Sequence, residues 1–343
     1  MHLFTNDYSE GAHQQILSAL FDTNIEQTQG YGLDKYSLLA QDAIKQKTGR
    51  SDIDIHFIPG GTQTNMIALS AFLRPHEAVI SAETGHIEVH ETGAIESTGH
   101  KILGVKTQDG KLRPESILPV LKSHTDEHMV KPRLVYISNT TELGTVYSKS
   151  ELGALSAFCR ENGLLLYLDG ARLGSALCSR GCDLNLAGLA ELTDAFYIGG
   201  TKNGALLGEA LVVVNNALKS DLRYQIKQKG ALLAKGRLLG LQFYELFRGD
   251  LFFEIARHAN ETADLLRGAI ASEGFPFLSD SPSNQLFPVL PNSIIEKLKE
   301  DYGFQIWSKV DENHSCIRLV TSWATPRMAA EAFAQTLKTL NSR

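Results

Sequence analysis

The sequence predicts an α/β fold: a mostly parallel sheet covered by helices on both faces, followed by a smaller C-terminal α+β unit. Three observations carry that expectation. Between about residues 37 and 215, helical stripes alternate with short apolar runs, the pattern of strands joined by crossover helices. From about 219 to 272 apolar residues recur at three- and four-residue spacing. The remainder returns to short strands and one closing helix.

Taken in order, "DIHFIPGG" reads as a strand entering a glycine turn and "TQTNMIALSAFL" as the helix after it. "EAVISAE" and "HKILGVK" read as strands, and "RLVYISNTTELGTVYS" as a strand and its loop. "SELGALSAFCRENG" is a helix that stops at glycine. "LLLYLDGAR" is a buried strand, and "DAFYIGGTKNG" with "GEALVVVN" closes the run. "LLGLQFYELF" and "LFFEIARHANETADLLRGAI" are helices. "NQLFPVLP", "FQIWSKV" and "SCIRLVTSW" are strand candidates before the helix "PRMAAEAFAQTLKTL". A chain of 343 residues exceeds a typical single domain. The expected division is a large domain with an N-terminal arm over 1–245 and a small domain over 246–343.

Hydrophobic residues make up 43% and charged residues 21%, a balance that can bury a sizeable core. The net charge of −6 and the scattered lysines and arginines give no nucleic-acid or membrane footprint. No apolar run reaches the ~20 residues of a membrane span, and no basic-then-apolar leader opens the chain. Cys178 and Cys182 lack a second Cys/His pair, so no metal site is expected. With Cys159 and Cys316 they point to a reduced, cytoplasmic protein.

In sheets of this kind ligands lie at the carboxyl ends of the strands, here Gly60, Gly61, Asn139, Asp169 and Lys202. Lys202 stands alone among Gly199, Gly200, Thr201, Asn203 and Gly204. A lysine that does covalent chemistry must lose its proton, which burial among small neutral residues encourages; a solvated lysine in a glycine turn is the simpler alternative. Asp169 ends an apolar run, as a helix cap, as a partner of Arg172, or as a partner for a protonated cofactor ring nitrogen. Gly60, Gly61 and Thr62 precede a helix whose first amides suit an anion, though the turn also serves as an ordinary strand–helix link. Together the three strand ends supply an amine, a carboxylate and a phosphate cradle. The small residues around Lys202 are expected to leave room for the cofactor ring.

With "GGTQTN", "GHIEVHETGA", "LDGARLGSA" and "GGTKNG", the chain resembles the threonine aldolase and β-eliminating lyase group of pyridoxal-phosphate enzymes. The similarity runs from "TNDYSEGAH" to "CIRLVTSW" and implies the aspartate-aminotransferase-like architecture (fold type I). By that resemblance Lys202 forms the Schiff base with pyridoxal 5'-phosphate, Asp169 meets its ring nitrogen, and Gly60, Gly61 and Thr62 hold its phosphate. His86 matches a histidine that stacks on the cofactor ring. Arg172 and Arg318 match arginines that grip the substrate carboxylate, a task suited to the guanidinium fork. Asn6 matches a polar N-terminal position that seats the substrate. Tyr31, expected to bind substrate, and Lys235, expected with Arg172 to bind the cofactor, lie for their part in segments that in relatives reach a neighbouring subunit's site.

The implied reaction is cleavage of a β-hydroxy-α-amino acid, such as threonine or allo-threonine, to glycine and an aldehyde. The alternatives are a β-eliminating amino-acid lyase on the same scaffold, a transaminase, and a non-catalytic protein that binds the cofactor. The base is left open among His86, His90, Glu142 and water. His56 and His100 read as structural. Typical threonine aldolases carry a histidine in the loop read here as "NTTELGT", where this chain has Thr141 and Glu142. The resemblance also implies at least a homodimer, with a homotetramer common among relatives.

Overall fold

The computed structural model describes residues 1–342. The chain begins with β1 (His2–Leu3). It then builds one large sheet from β2 (Asp54–Ile58), β3 (Glu77–Ala82), β4 (Ile102–Val105), β5 (Lys131–Ser138), β6 (Leu165–Asp169), β7 (Ala195–Gly199) and β8 (Glu209–Val213). Their spatial order is β2-β8-β7-β6-β5-β3-β4, and β8 alone runs against the others. Parallel neighbours need crossover connections, whereas β7 and β8 are joined by the short segment that carries Lys202.

The runs "LLYLD" and "EALVV" are almost wholly apolar because both faces of these strands are covered. Alternation sends Leu166, Leu168, Phe196, Ile198 and Val212 into one core. It sends Leu165, Tyr167, Ala195, Tyr197 and Leu211 into another on the opposite face. The first face is covered by helices Lys35–Thr48, Lys149–Glu161 and Arg237–Phe247, the second by Gly61–Phe72 and Leu222–Gln228. Helix Lys149–Glu161 starts on a capping box written in the sequence as "SKSE": Ser148 Oγ accepts the Glu151 N–H, and Glu151 accepts the Ser148 N–H.

The C-terminal sheet contains β9 (Gln285–Leu286), β10 (Val289–Pro291), β12 (Gln305–Lys309) and β13 (His314–Val320), while β11 (Tyr302–Gly303) pairs with β1. Its core joins Leu286, Ile317 and Leu319 to Leu266, Ile270, Phe333 and Leu337 of two covering helices. A short helix, Asn292–Leu298, is an element not anticipated in the sequence.

The N-terminal arm, grouped with the large domain by sequence, sends its first residues to the C-terminal core. There β1 extends β11 in parallel, and Phe4 is fully buried against Tyr302 and Phe333. The expected boundary at 245/246 falls inside helix Arg237–Phe247. The next helix, Leu251–Ser272, serves both parts: Phe252 and Ile255 belong to the large-sheet core, Leu266 and Ile270 to the C-terminal one. Among the described residues, no helix is long and apolar enough to cross a membrane.

Candidate active site

A cavity of about 550 Å³ opens at the carboxyl ends of β2, β5, β6 and β7. After β2 come Gly60, Gly61 and Thr62; at the end of β5 and beyond it are Ser138 and Glu142. β6 ends on Asp169, followed by Arg172, and β7 leads to Lys202. His86 comes from the turn after β3, and Arg318 and Trp307 from the C-terminal sheet. Ten candidate residues named from the sequence thus line one space: Gly60, Gly61, Thr62, His86, His90, Glu142, Asp169, Arg172, Lys202 and Arg318.

Lys202 has its pKa lowered, first by burial and then by the positive charge of Arg172, against the opposing pull of Asp7, Asp169 and Glu209. That favours the neutral, nucleophilic amine. The glycines before it do not serve to make room for a ring. A Cβ on Gly199 would lie 2.3 Å from the Ala171 carbonyl oxygen, and one on Gly200 would lie 2.7 Å from that of Gly208. They let three backbone segments pack together. Glu209, missed in the sequence, clips this turn: it accepts the Gly200 N–H at 3.0 Å and the Thr201 hydroxyl at 2.8 Å. Because β8 runs backwards, its first residue lies at the same edge as the other strands' last ones.

Asp169 shares a face of β6 with Leu165 and Tyr167, and so points toward the core under helix Gly61–Phe72. Its Oδ2 accepts the Tyr136 hydroxyl at 2.6 Å and the Asn65 amide at 3.0 Å, and its Oδ1 accepts the Ala171 N–H at 2.9 Å. Burial opposes ionisation, but the charge of His86 and the hydrogen bonds from Tyr136, Tyr197 and Asn65 outweigh it and hold the pKa below the usual value. Its partner is not Arg172. A buried carboxylate kept ionised is what a protonated ring nitrogen requires.

His86 Nδ1 lies 2.8 Å from Glu91 Oε1, which also accepts the Asn65 amide at 2.7 Å, so Glu91 and Asn65 connect His86 to Asp169. Burial lowers the affinity of His86 for a proton, but Glu91 and Asp169 raise it by more. His90 is exposed beside it, with ring centroids 5.6 Å apart. Glu142 reaches back to the same turn, accepting the His86 N–H at 3.0 Å and the Ser138 hydroxyl at 2.8 Å.

The two arginines differ in kind. Arg172 is engaged side-on by Asp7, itself held by the Asn284 amide at 3.0 Å. Arg318 has no carboxylate partner among the described residues. Its guanidinium lies 5.5 Å from the centroid of the Trp307 ring, one Nη donates to the Thr5 carbonyl at 3.4 Å, and Nε is buried without a partner. Trp307 is the extra residue of a bulge between the pairs Ile306–Ile317 and Ser308–Cys316, a device that re-aims a side chain.

Helix Gly61–Phe72 starts without a side-chain cap on Gly60, which leaves its first amides free for an anion. The residues present therefore fit pyridoxal phosphate: an amine prone to lose its proton, an ionised carboxylate and an uncapped helix start on three strand ends of one cavity.

Four expected residues do not line this cavity. Asn139 is fully buried, its Oδ1 accepting the Tyr147 N–H at 3.2 Å. Asn6 Oδ1 accepts the Tyr8 N–H and the Ser9 hydroxyl, an Asx turn that puts Tyr8 on the cavity wall instead. Tyr31 and Lys235 lie on adjoining exposed segments joined by a Tyr31 N–H to Ala234 carbonyl bond of 3.2 Å. Asp7, Asn65 and Tyr136 are not marked in the sequence, since each acts through a partner distant in the chain, and Glu91 and Trp307 are not marked either, although their partners His86 and Arg318 are near in sequence.

Residues 6–337 match the family model described as beta-eliminating lyase. The low specificity L-threonine aldolase of Pseudomonas aeruginosa is 34% identical over 325 residues, covering 94% of this chain and 93% of the relative. A solved Leishmania major threonine aldolase superposes with a TM-score of 0.98 at 49% identity, covering 99% of this chain and 100% of that one. An aspartate aminotransferase from Thermus thermophilus, with a TM-score of 0.73 at 15% identity over 98% of this chain and 91% of its own, shares the fold.

Proposed function

Since the chain belongs to the beta-eliminating lyase family, a group of pyridoxal-phosphate-dependent lyases, we propose that it cleaves a β-hydroxy-α-amino acid of the threonine or allo-threonine type to glycine and an aldehyde. The observation that carries this reading is the meeting of Lys202, Asp169 and the uncapped helix start at Gly61 in one cavity. Relatives named for threonine aldolase activity at near-full coverage support it.

When bound, pyridoxal phosphate supplies an electron-poor ring that accepts the electron pair released at Cα. In this proposal the Lys202 amine holds its aldehyde, and Asp169 keeps a proton on its ring nitrogen. The amides after Gly60, with Gly61 and Thr62, bind its phosphate, and His86 packs against its ring. Arg318 takes the substrate carboxylate, turning the Cα–Cβ bond to the angle at which it breaks. Arg172, already neutralised by Asp7, supports that grip with its remaining donors.

The test is the near-ultraviolet and visible absorbance of purified protein with added pyridoxal phosphate, before and after threonine and allo-threonine. A band that is lost in Lys202→Ala, with acetaldehyde and glycine released from wild type, is the expected result. The family description leaves a second reading, β-elimination on the same scaffold, whose products would be ammonia and a keto acid. We also propose a cytoplasmic homo-oligomer, at least a dimer and with a tetramer expected. Tyr31 and Lys235 would complete the neighbouring site, consistent with their exposed segments and with the exposed Leu17, Phe21 and Ile25 side chains. Light scattering of the purified protein tests the assembly.

A further inference from the structure

We propose that Glu142 is the proton acceptor of the cleavage, taking the β-hydroxyl proton of the substrate on its Oε2 oxygen. This rests on the aldolase reading above and assigns the role that reading leaves open.

Three carboxylates line the cavity: Glu142, Asp169 and Glu209. Two are fully engaged. Asp169 uses both oxygens on Ala171, Asn65 and Tyr136, and Glu209 uses both on Thr201 and Gly200. Glu142 is different: Oε1 accepts both of its donors, His86 N–H and Ser138 Oγ–H, and Oε2 has no hydrogen-bond partner among the described residues. Glu142 is half-buried and lines the cavity, so Oε2 is left open to a hydroxyl donated by a ligand there. The two bonds to Oε1 also fix the carboxyl plane, so the direction of Oε2 is set before a substrate arrives.

The histidines suit the task less well. His86 Nδ1 is committed to Glu91, and the carboxylates near it favour its protonated form, which cannot accept a proton. His90 is exposed on the cavity lining, and its ring has no hydrogen bond among the described residues. The charged and titratable groups around Glu142 are Asp169 from β6, Arg172 after it, His86 from the turn after β3, and Tyr136 from β5. Burial and then the charge of Asp169 raise the pKa of Glu142, against the Ser138 bond and His86. A carboxylate raised toward the working pH is a better base than an ordinary one.

The step balances simply. Oε2 takes the hydroxyl proton, the O–H electron pair becomes the second bond of the aldehyde carbonyl, and the Cα–Cβ pair stays on Cα. A later proton to Cα gives glycine, so one proton leaves the hydroxyl and one returns to carbon.

The experiment compares Glu142→Gln with wild-type holoenzyme. Gln keeps the size and an oxygen for His86 and Ser138, but takes up no proton. Expected is a kcat for threonine cleavage lower by ~100-fold or more, with the acid limb of the kcat–pH profile lost. Exchange of the glycine α-proton with deuterated water, followed by NMR, should be unchanged, because glycine has no β-hydroxyl. Glu142→Asp should keep the acid limb at reduced kcat, and His90→Asn should cleave as wild type. In cofactor-free protein, a carboxyl with a raised folded-state pKa loses stability as pH rises through that value. The melting temperature of Glu142→Gln should therefore gain on wild type with rising pH. Unchanged cleavage in Glu142→Gln, equal loss of cleavage and exchange, or an acid limb that goes with His90 instead would each overturn the proposal. Wild type releasing ammonia and a keto acid would instead remove the aldolase reading beneath it.

Discussion

Arg172 and Asp7 meet side by side, with Nε 2.7 Å from Oδ2 and Nη2 3.0 Å from Oδ1. The pair ties the N-terminal arm to the loop after β6, and Asn284 ties it to the C-terminal sheet. Burial alone would raise the pKa of Asp7, but the charges of Arg172 and Lys202 overcome it and lower it. Removing Asp7 strands a buried guanidinium. Asp7→Ala is expected to cost about 3–5 kcal/mol in denaturant unfolding of the cofactor-free protein, with Asp7→Asn costing less. Unaltered stability in both would show that cavity water solvates Arg172 as well as the carboxylate does.

Arg318 is the contrasting case, a cavity arginine with an aromatic face in place of an acid. In the proposed function its charge is left for a substrate carboxylate. Arg318→Lys loses the two-pronged fork and should raise the KM for threonine by about 10- to 100-fold, equivalent to about 1.4–2.8 kcal/mol. Trp307→Leu should raise KM less, and Trp307→Phe less still, because a ring under the guanidinium is retained. An effect of Arg318→Lys confined to kcat would remove the carboxylate role.

What the sequence marks and what it conceals follow a physical pattern. Asp169 and Lys202 stand out because a charge closing an apolar run is locally conspicuous. Glu209 opens such a run, and it joins the site only because β8 is reversed, a matter of strand pairing that no local pattern records. Asp7 and Arg172 are 165 residues apart, and Asn65 lies 104 from Asp169. Tyr136, Tyr167 and Tyr197 are buried core residues of three neighbouring strands, and that their rings surround Asp169 depends on the register of those strands. The fold class was legible because it rests on periodicity, which is local. The division of the chain was less so, because Phe4 and helix Leu251–Ser272 serve the C-terminal core from outside or across the expected boundary.

Gly170, next to Asp169, sets a packing limit that substitution can test. A Cβ there would stand 1.9 Å from the Tyr197 carbonyl oxygen and 3.1 Å from Leu173 Cβ. Neither neighbour can yield without moving β7 or the Arg172 loop. Gly170→Ala should therefore cost at least the ~1–3 kcal/mol of ordinary overpacking and weaken cofactor binding by shifting Asp169. Thermal unfolding and pyridoxal phosphate titration would read the two effects, and a variant as stable and as tightly binding as wild type would contradict the contact.

His56 on β2 offers a pH test independent of the active site. Burial, opposed by Asp54 and helped by a smaller contribution from Arg223, pushes its pKa down to about 4, and its Nε2 has no hydrogen-bond partner among the described residues. The folded state thus binds fewer protons than the unfolded one between about pH 4 and the ordinary histidine value near 6.5. Stability is full above that window and is lost as pH falls through it, by up to about 1.4 kcal/mol per pH unit. His56→Leu removes the titration, so its unfolding free energy should gain on wild type from pH 7 to pH 5. Parallel curves over that range would mean that His56 takes up its proton without unfolding, through an opening of β2 to water.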